Sequence, residues 1–322
     1  MAEKGNKEMR GFFTVAGLMA LLLGVGSAVF SGSPSVRPSA LSGSWYPADR
    51  GTLMKEVDGF LRQASPSVEG ERVVAMISPH AGYAYSGAVA AWGYRNLAGV
   101  PFRRVIILAP SHYVSFEGVS IPRVEFYETP LGRVRVDRNA CDSLLAKSPF
   151  RTVTQAHERE HAVEIQLPFL QRTLKEFSLV PIVVGELEGD QYRVVSEQLK
   201  TLGGADMLVI ASSDFTHFGP RFGYVPFVDH LRENISRLDH GAIDLILKKD
   251  WQGFLAYRNR TGATICGFRP IALLIQMLRP DVMGRLLQYR LSGDITGDYV
   301  NSVSYASIVF FREDGGGRGD PG

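Results

Sequence analysis

Three short apolar segments of this chain each lead into a motif that carries reactive side chains. The segments and the polar residues that follow them are 72–78 with His80, 103–109 with His112, and 206–212 with Asp214 and His217. Apolar, β-branched runs of this length predict buried strands. Because parallel strands of an α/β sheet end at a common edge, where such folds bind their ligands, we expect these polar side chains to share one cleft.

Helical patterns separate the predicted strands. They cover residues 50–64, 88–97, 139–147, 191–202, 234–247, 250–258 and 271–278. Strands that alternate with helices favour a three-layer α/β/α domain around a mainly parallel mixed sheet. With 322 residues, 45% of them hydrophobic, the chain can bury a sizeable core. A formal net charge of +2 gives no electrostatic case for a nucleic-acid partner.

The first 30 residues differ from the rest of the chain. Lys4, Lys7 and Arg10 precede an apolar run over residues 12–30. Positive charges before an apolar segment of about 20 residues are typical of a signal peptide or an N-terminal membrane anchor. Because the positive flank stays inside, the pattern predicts a protein of the cell envelope, exported or membrane-anchored, with its main domain outside the cytoplasm.

These patterns divide the chain into four parts. Residues 1–30 are the signal peptide or anchor, and a Pro- and Ser-rich linker follows over residues 31–41. The α/β domain is predicted over residues 42–312. The Gly-rich residues 313–322 are expected to form a flexible tail.

The chain has two cysteines, Cys141 and Cys266. A disulfide between them requires a short distance that the sequence does not give. Cys266 precedes a predicted helix whose N–H groups and dipole favour a thiolate, which suits a metal ligand or a nucleophile. The alternative is that each cysteine is a small buried hydrophobe.

His80, His112 and Cys266 together offer imidazole and thiolate ligands. Two histidines and an anionic third ligand with open positions are typical of a catalytic transition-metal site. Iron(II), copper and zinc suit these donors, whereas magnesium and calcium do not. Asp214 and His217 could orient one another, or Asp214 could simply cap a turn.

Residues 157–161 (His-Glu-Arg-Glu-His) match the H-E-x-x-H signature of zinc metalloproteases and also its inverted form. On a helix, His157 and His161 would lie on one face as two zinc ligands. Zinc-dependent hydrolysis through these histidines and Glu158 is therefore one hypothesis. The alternative is a charged, solvated helix start, followed by a helix that is interrupted at Pro168.

Five motifs resemble those of the Memo family, whose bacterial and archaeal members are known as AmmeMemoRadiSam system protein B. They are residues 79–83 (Pro-His-Ala-Gly-Tyr), 110–112 (Pro-Ser-His), 160–169 with Glu-His-Ala-Val-Glu and Leu-Pro-Phe, 212–217 (Ser-Ser-Asp-Phe-Thr-His) and 265–271 (Ile-Cys-Gly-Phe-Arg-Pro-Ile). The motifs occur in the order expected for the family. The resemblance extends from about residue 36 to residue 311.

The Memo family resembles class III extradiol dioxygenases, which are non-haem iron enzymes, in its fold and in the position of its pocket. The resemblance implies three metal ligands and three further catalytic residues. The ligands for iron(II) or copper would be His80, His112 and Cys266, and the catalytic residues would be Asp214, His217 and, as acid/base or support for a ligand, His161. This set implies a metal-dependent redox enzyme, dioxygenase-like, that acts with dioxygen on a small molecule.

The resemblance also implies a second class of function. Animal Memo proteins are described as adaptors for phosphotyrosine peptides, so the same cleft could bind a peptide or another partner without turnover. The family further implies radical-SAM and AMMECR-type system proteins as partners. An uncleaved N-terminal segment would add the membrane as a binding surface.

Overall fold

The computed structural model describes residues 35–66, 71–204 and 206–313. The strands of these residues are β1 (Val36–Arg37), β2 (Glu71–Ser78), β3 (Arg104–Pro110), β4 (Val119–Ser120), β5 (Phe126–Thr129), β6 (Gly132–Arg135), β7 (Phe150–Arg151), β8 (Ser178–Val184), β9 (Met207–Ser212), β10 (His217–Phe218), β11 (Met283–Leu291) and β12 (Ser302–Glu313). The helices are α1 (Arg50–Gln63), α2 (Tyr83–Arg95), α3 (Arg138–Leu145), α4 (Gln155–Glu158), α5 (Leu167–Thr173), α6 (Gln191–Lys200), α7 (Leu231–Leu247), α8 (Trp251–Thr261), α9 (Phe268–Met277) and α10 (Gly293–Thr296).

The main sheet has a parallel centre and antiparallel edges. Its central strands lie in the order β2, β9, β3, β8, and every neighbouring pair among them is parallel. On one side, β12 pairs antiparallel with β2, and β11 and β10 pair antiparallel with β12. On the other side, the short strand β4 pairs antiparallel with β8. The predicted α/β fold with a mainly parallel mixed sheet is therefore confirmed.

Helices pack against the sheet in two groups. One group contains α1, α2 and α5, with α2 lying against β2 and β12. The other contains α6, α8 and α9, with α9 lying against β3 and β9. The central strands β3 and β9 are almost entirely buried, as expected for parallel strands that are covered on both faces.

Local sequence signals account for several helix boundaries. The Asp49 side chain accepts a hydrogen bond from the N–H of Thr52 and so caps α1, and Asp250 caps α8 in the same way through Gly253. The prediction that Pro168 interrupts a helix is wrong. Pro168 lies in the first turn of α5, where its missing N–H costs no hydrogen bond, so it opens the helix.

Part of the predicted linker belongs to the fold. Val36 and Arg37 form β1, which pairs in parallel with β5, and β6 completes this small three-stranded sheet. The Arg37 guanidinium is buried and donates a 2.6 Å hydrogen bond to Glu164. This hydrogen bond and the pairing with β5 hold β1 against the rest of the domain.

The predicted signal peptide or anchor, residues 1–30, lies outside the described residues, and so do residues 314–322 of the predicted flexible tail, whereas Glu313 ends β12. Within the described ranges, no helix combines the length and the apolar character needed to cross a bilayer. The prediction of a cell-envelope location, membrane-anchored or exported, is corrected on this finding.

Candidate metal centre

The carboxyl ends of three adjacent parallel strands place the predicted polar residues together. His80 follows β2, Asp214 follows β9 and His112 follows β3. The Asp214 Oδ1 atom accepts hydrogen bonds from the main-chain N–H groups of His80, at 2.7 Å, and of Ala81, at 3.3 Å. The convergence expected from the topology is thus present in the structure.

Three histidines form a cluster at this edge. One ring nitrogen from each of His80, His112 and His161 lies within 4.8 Å of the others, so the group could hold a metal ion. The rings of His112 and His161 stack at 4.3 Å between centroids, and the ring of His80 meets them edge-on at 5.1 and 5.2 Å. His161 comes from the loop between α4 and α5, so the cluster draws on more than the strand ends.

The tautomer of His80 follows from its hydrogen-bond partners. The Ser212 hydroxyl donates to the carbonyl of Ala162 at 2.7 Å, so its single proton is used there. His80 Nδ1, 3.0 Å from Ser212 Oγ, must therefore be the donor. This leaves His80 Nε2 without a proton and available as a ligand atom. Burial, together with the neighbouring histidines, lowers the pKa of His80 well below its usual range, so the ring is neutral.

Glu160 orients His112 in a similar way. Its two carboxylate oxygens accept the main-chain N–H and the ring Nδ1–H of His112, both at 2.9 Å. Burial opposes ionisation of Glu160, but the hydrogen bonds from His112 outweigh it and lower the pKa of the carboxyl. A carboxylate on Nδ1 fixes the tautomer with a free Nε2, which is the arrangement that metal-binding histidines commonly have.

His161 is held mainly by ring contacts. Its ring packs against Trp45 at 4.5 Å between centroids, and its Nδ1 lies 3.4 Å from the hydroxyl of Tyr113. Burial and the neighbouring His112 lower the pKa of His161 to about 4. At neutral pH the ring is therefore uncharged and can accept either a proton or a metal ion.

Cys266 lies beside His80, just before α9. Its Sγ is 3.1 Å from His80 Nε2 and accepts the N–H of Asp214 at 3.3 Å. The predicted thiolate is not favoured by these surroundings, because burial and the nearby Asp214 carboxyl raise the pKa of the thiol well above its usual range. Cys266 and Cys141 are both free cysteines.

Asp214 and His217 do not orient one another as expected. The Nδ1 of His217 lies 3.0 and 3.1 Å from the carbonyl oxygens of Phe215 and Thr264, and these main-chain groups fix its ring. Asp214 instead supports the turn that carries His80. Burial raises the pKa of Asp214, while the charge of His217 and the two main-chain N–H groups work against that increase.

The H-E-x-x-H interpretation is wrong. The helix α4 ends at Glu158, so His157 and His161 do not share a helical face. His157 points elsewhere and bonds through Nε2 to the hydroxyl of Ser120 at 2.8 Å. The structure therefore gives no basis for zinc-dependent hydrolysis through His157 and His161.

One pocket opens on the cluster, and a larger cleft lies beside it. A pocket of about 270 Å³ is lined by His112, Cys266 and Arg269, among others. A second cleft of about 640 Å³ is lined by Trp45, which packs on His161, by Ala81, which follows His80, and by Tyr85 and Phe222. A small molecule can therefore approach the two predicted ligands His112 and Cys266 from the solvent.

Sequence reasoning missed the residues that support the cluster. Ser212 and Glu160 lie inside motifs that were recognised, Trp45 and Tyr113 lie outside them, and none of the four was assigned a role. The position of Glu160 next to His161 was the available signal for a carboxylate near the site. Nothing in the local sequence indicates that Glu160 reaches His112, which is 48 residues away.

An α/β domain with a histidine cluster at the carboxyl edge of its parallel strands defines a class of proteins with a candidate metal centre. Within that class, the chain belongs to the Memo-like protein family, whose model matches residues 37–309. The predicted family membership is confirmed.

Relatives from distant organisms share this family. The chain is 33% identical to the protein memo-1 homolog of Caenorhabditis elegans, over 85% of this chain and 82% of that protein. It is 34% identical to a MEMO1 family protein of Pyrobaculum arsenaticum, over 86% of this chain and 99% of the relative. It is also 34% identical to protein MEMO1 of Danio rerio, over 84% and 96%. A solved structure of an uncharacterized Escherichia coli K12 protein aligns at a TM-score of 0.42 and 10% identity, over 74% of this chain and 99% of that one, which is too distant to inform function.

Proposed function

We propose that this protein is a metal-dependent redox enzyme that holds iron(II) or copper in the cleft and acts with dioxygen on a small substrate. The strongest support for this proposal is that hydrogen bonds orient two imidazole rings as metal ligands. Ser212 and Glu160 occupy Nδ1 of His80 and of His112, which leaves both Nε2 atoms unprotonated beside Cys266 and His161.

The donor set fits a transition metal. Neutral imidazoles and a sulfur suit iron(II), copper or zinc, while magnesium and calcium prefer oxygen ligands. Among the described residues, the carboxylate of Asp214 is occupied by main-chain N–H groups and that of Glu160 by His112. The carboxylate oxygens of Asp214 and Glu160 therefore accept hydrogen bonds that position His80 and His112.

We assign the third ligand to Cys266, as the family resemblance implies, with His161 as the competing candidate. Its Sγ lies 3.1 Å from His80 Nε2, whereas the group whose ligand atoms all lie within 4.8 Å of one another contains His161 and not Cys266. A metal ion bound there would displace the thiol proton, because a coordinating thiol is deprotonated. When bound, iron or copper would supply one-electron chemistry and a coordination position for dioxygen.

The residues of the chain have separate roles in this proposal. His161 is neutral at pH 7 and can accept a proton from a bound substrate. Trp45 packs on the ring of His161 and excludes water from one side of it. Asp214 fixes the turn that carries His80, and the ring of His217 packs against Phe222 at the border of the larger cleft.

Elemental analysis tests the proposal directly. The full chain is purified anaerobically as wild type and as the variants Cys266→Ser, His161→Ala and His157→Gln, and the iron and copper content of each is measured. We expect near-stoichiometric metal in the wild type and in His157→Gln, and loss in Cys266→Ser. Loss in His161→Ala alone would move the third ligand to His161. Absence of metal from the wild type after loading with iron(II) or copper would overturn the proposal.

A second candidate function is a partner-binding module without turnover. The 640 Å³ cleft beside the cluster is bordered by Trp45, Tyr85 and Phe222, and Arg221 and Asp298 place charges of both signs at it. Aromatic side chains beside such polar groups suit an extended peptide that carries an aromatic side chain. Peptide binding that persists in a metal-free His80→Ala, His112→Ala variant, with no dioxygen consumption by the wild type, would favour this function.

Partner proteins are a separate part of the proposal. We propose the radical-SAM and AMMECR-type proteins implied by the family resemblance as partners. Co-purification of either type with the wild type, and its loss on replacing Tyr85 and Phe222, would support binding at the cleft. Binding that is unchanged in this variant would place the interface on another surface.

A further inference from the structure

The edge of the sheet opposite the candidate metal centre carries a groove of about 710 Å³, which we call the basal groove. It lies where β2 and β9 begin and where α6 and α9 end, and its lining includes Val74, Met207 and Met277. The motifs of the family resemblance and the proposed ligands are at the other end of these elements. The basal groove therefore needs an explanation of its own.

The floor of the basal groove is apolar and incompletely covered. Val74, Met207 and Leu278 pack against the hydrophobic core but remain partly exposed, and the buried side chains of Leu274 and Met277 continue the same surface. A concave apolar surface of a few hundred Å³ with a small number of polar groups is typical of sites that bind small molecules. The shape favours a compact ligand over a flat protein partner.

The charges at the basal groove all have one sign. Its three charged lining residues, Lys200, Arg279 and Arg312, are basic. Arg279 is paired with Asp281 at 3.0 Å. Within the described part of the chain, Lys200 forms no ion pair, and Arg312 acts on the Asp281 carboxylate through its charge without an ion-pair contact. Two cations beside an apolar floor are complementary to a ligand with an apolar chain and one anionic head.

We propose that the basal groove binds a small single-chain amphiphile with a carboxylate head. The chain of the ligand lies over Met207 and Met277 and covers apolar surface that water otherwise contacts. The carboxylate lies at the rim with Lys200 and Arg312. This site is independent of the metal proposal, because none of its residues belongs to the cluster.

Calorimetric titration of the full chain tests this with three probes. Octanoate carries both chain and charge, 1-octanol lacks the charge, and butyrate lacks four methylenes. We expect saturable binding of octanoate. Butyrate should bind at least about tenfold more weakly because it lacks four methylenes of apolar contact, and 1-octanol at least about tenfold more weakly because it lacks the anionic head. Absence of saturable octanoate binding, or binding only to anionic lipid vesicles, would overturn the proposal.

Two further measurements locate the site. In methyl NMR, octanoate should shift the ε-methyl signals of Met207 and Met277 and leave that of Met54, on α1, unchanged. The double variant Lys200→Gln, Arg312→Gln should bind octanoate about tenfold more weakly. The matched variant Lys147→Gln, Arg151→Gln, which removes two exposed cations elsewhere, should bind it as the wild type does. Equal weakening in both variants, or shifts confined to Met54, would contradict the assignment.

Discussion

Glu160 binds His112 twice, through the main-chain N–H and through the ring Nδ1–H, each at 2.9 Å. The main chain of Glu160 is itself held, because its carbonyl accepts a 2.6 Å hydrogen bond from the buried guanidinium of Arg37. Arg37 also pairs with Glu164. One series of contacts therefore runs from β1 through the loop before α5 to a proposed metal ligand after β3.

The first prediction concerns the carboxylate of Glu160. Replacing it with Gln removes the charge that strengthens Nδ1–H donation from His112 and so lowers the basicity of its Nε2. We expect a 10- to 100-fold loss of metal affinity, which is about the effect of removing such a support. Competition with a chelator of known affinity measures it. Glu158→Gln, an exposed neighbour on α4, is the matched control, and equal losses in the two variants would contradict the role of Glu160.

The second prediction concerns stability. Glu164 accepts hydrogen bonds from Arg37, Tyr46 and Ser39 in the interior, and burial of its carboxyl is offset mainly by the Arg37 charge. Arg37→Met leaves this carboxylate buried without its cation, which costs about 3–5 kcal/mol of unfolding free energy. Urea unfolding measures the loss.

The control for this variant is a comparable pair at the surface. Arg172 pairs with Asp58 at 2.8 Å, and both side chains are about one third exposed. Arg172→Met should lower the unfolding free energy by less than about 1 kcal/mol, because solvent screens such pairs. A loss at position 37 as small as that at position 172 would show that Glu164 does not depend on Arg37.

Local patterns were sufficient to predict the strand-end part of the site. The apolar runs of β2, β3 and β9 are short and β-branched, and each is followed within a few residues by His80, His112 or Asp214. Because these strands pair in parallel, the residues that follow them lie together at one edge of the sheet. The fold class follows from the same alternation of strands and helices.

Long-range contacts explain what the sequence did not reveal. Arg37 and Glu164 are 127 residues apart, so no local pattern links them, and β1 was mistaken for linker because its surroundings are rich in Pro and Ser. The H-E-x-x-H pattern does not place His157 and His161 on one helical face, because α4 ends at Glu158. At Cys266, burial raises the pKa of the thiol and so opposes the thiolate that the helix N-terminus favours.

The third prediction concerns Gly267, between Cys266 and α9. A Cβ atom here would meet Ser213 Cβ and would lie 2.6 Å from the carbonyl oxygen of Ser212. Gly267→Ala therefore has to push α9 away from β9, which displaces Cys266 from His80. We expect a loss of stability of about 1–3 kcal/mol, typical of overpacking, together with weaker metal binding. Urea unfolding and the chelator competition measure the two effects.

Gly59→Ala is the matched control for Gly267→Ala. Gly59 lies inside α1, where a Cβ would come no closer than 3.9 Å to Arg62. Alanine should stabilise the protein there by about 0.5–1 kcal/mol because it restricts the unfolded chain. Loss of stability in both variants would mean that the close approach at Gly267 is not the cause.

The fourth prediction concerns the pH dependence of stability and His157. Burial, assisted by the charge of Arg37, lowers the pKa of His157 to about 3. In the unfolded chain the same group titrates near pH 6.5, so between these values the unfolded state binds a proton that the folded state does not. The stabilising contribution is therefore complete above about pH 6.5 and is lost on acidification, by about 1.4 kcal/mol per pH unit.

Urea unfolding of the metal-free protein between pH 4.5 and 6 tests this dependence. His157→Gln removes the titrating group, so the unfolding free energy should fall less steeply with decreasing pH, by about 1.4 kcal/mol per unit. The substitution also changes the hydrogen bond between His157 and Ser120, which alters the unfolding free energy by the same amount at every pH. The slope against pH, and not the absolute stability, is therefore the quantity to compare. His230→Gln, at an exposed position, should keep the wild-type slope. An unchanged slope in His157→Gln would mean that this imidazole is protonated in the folded protein.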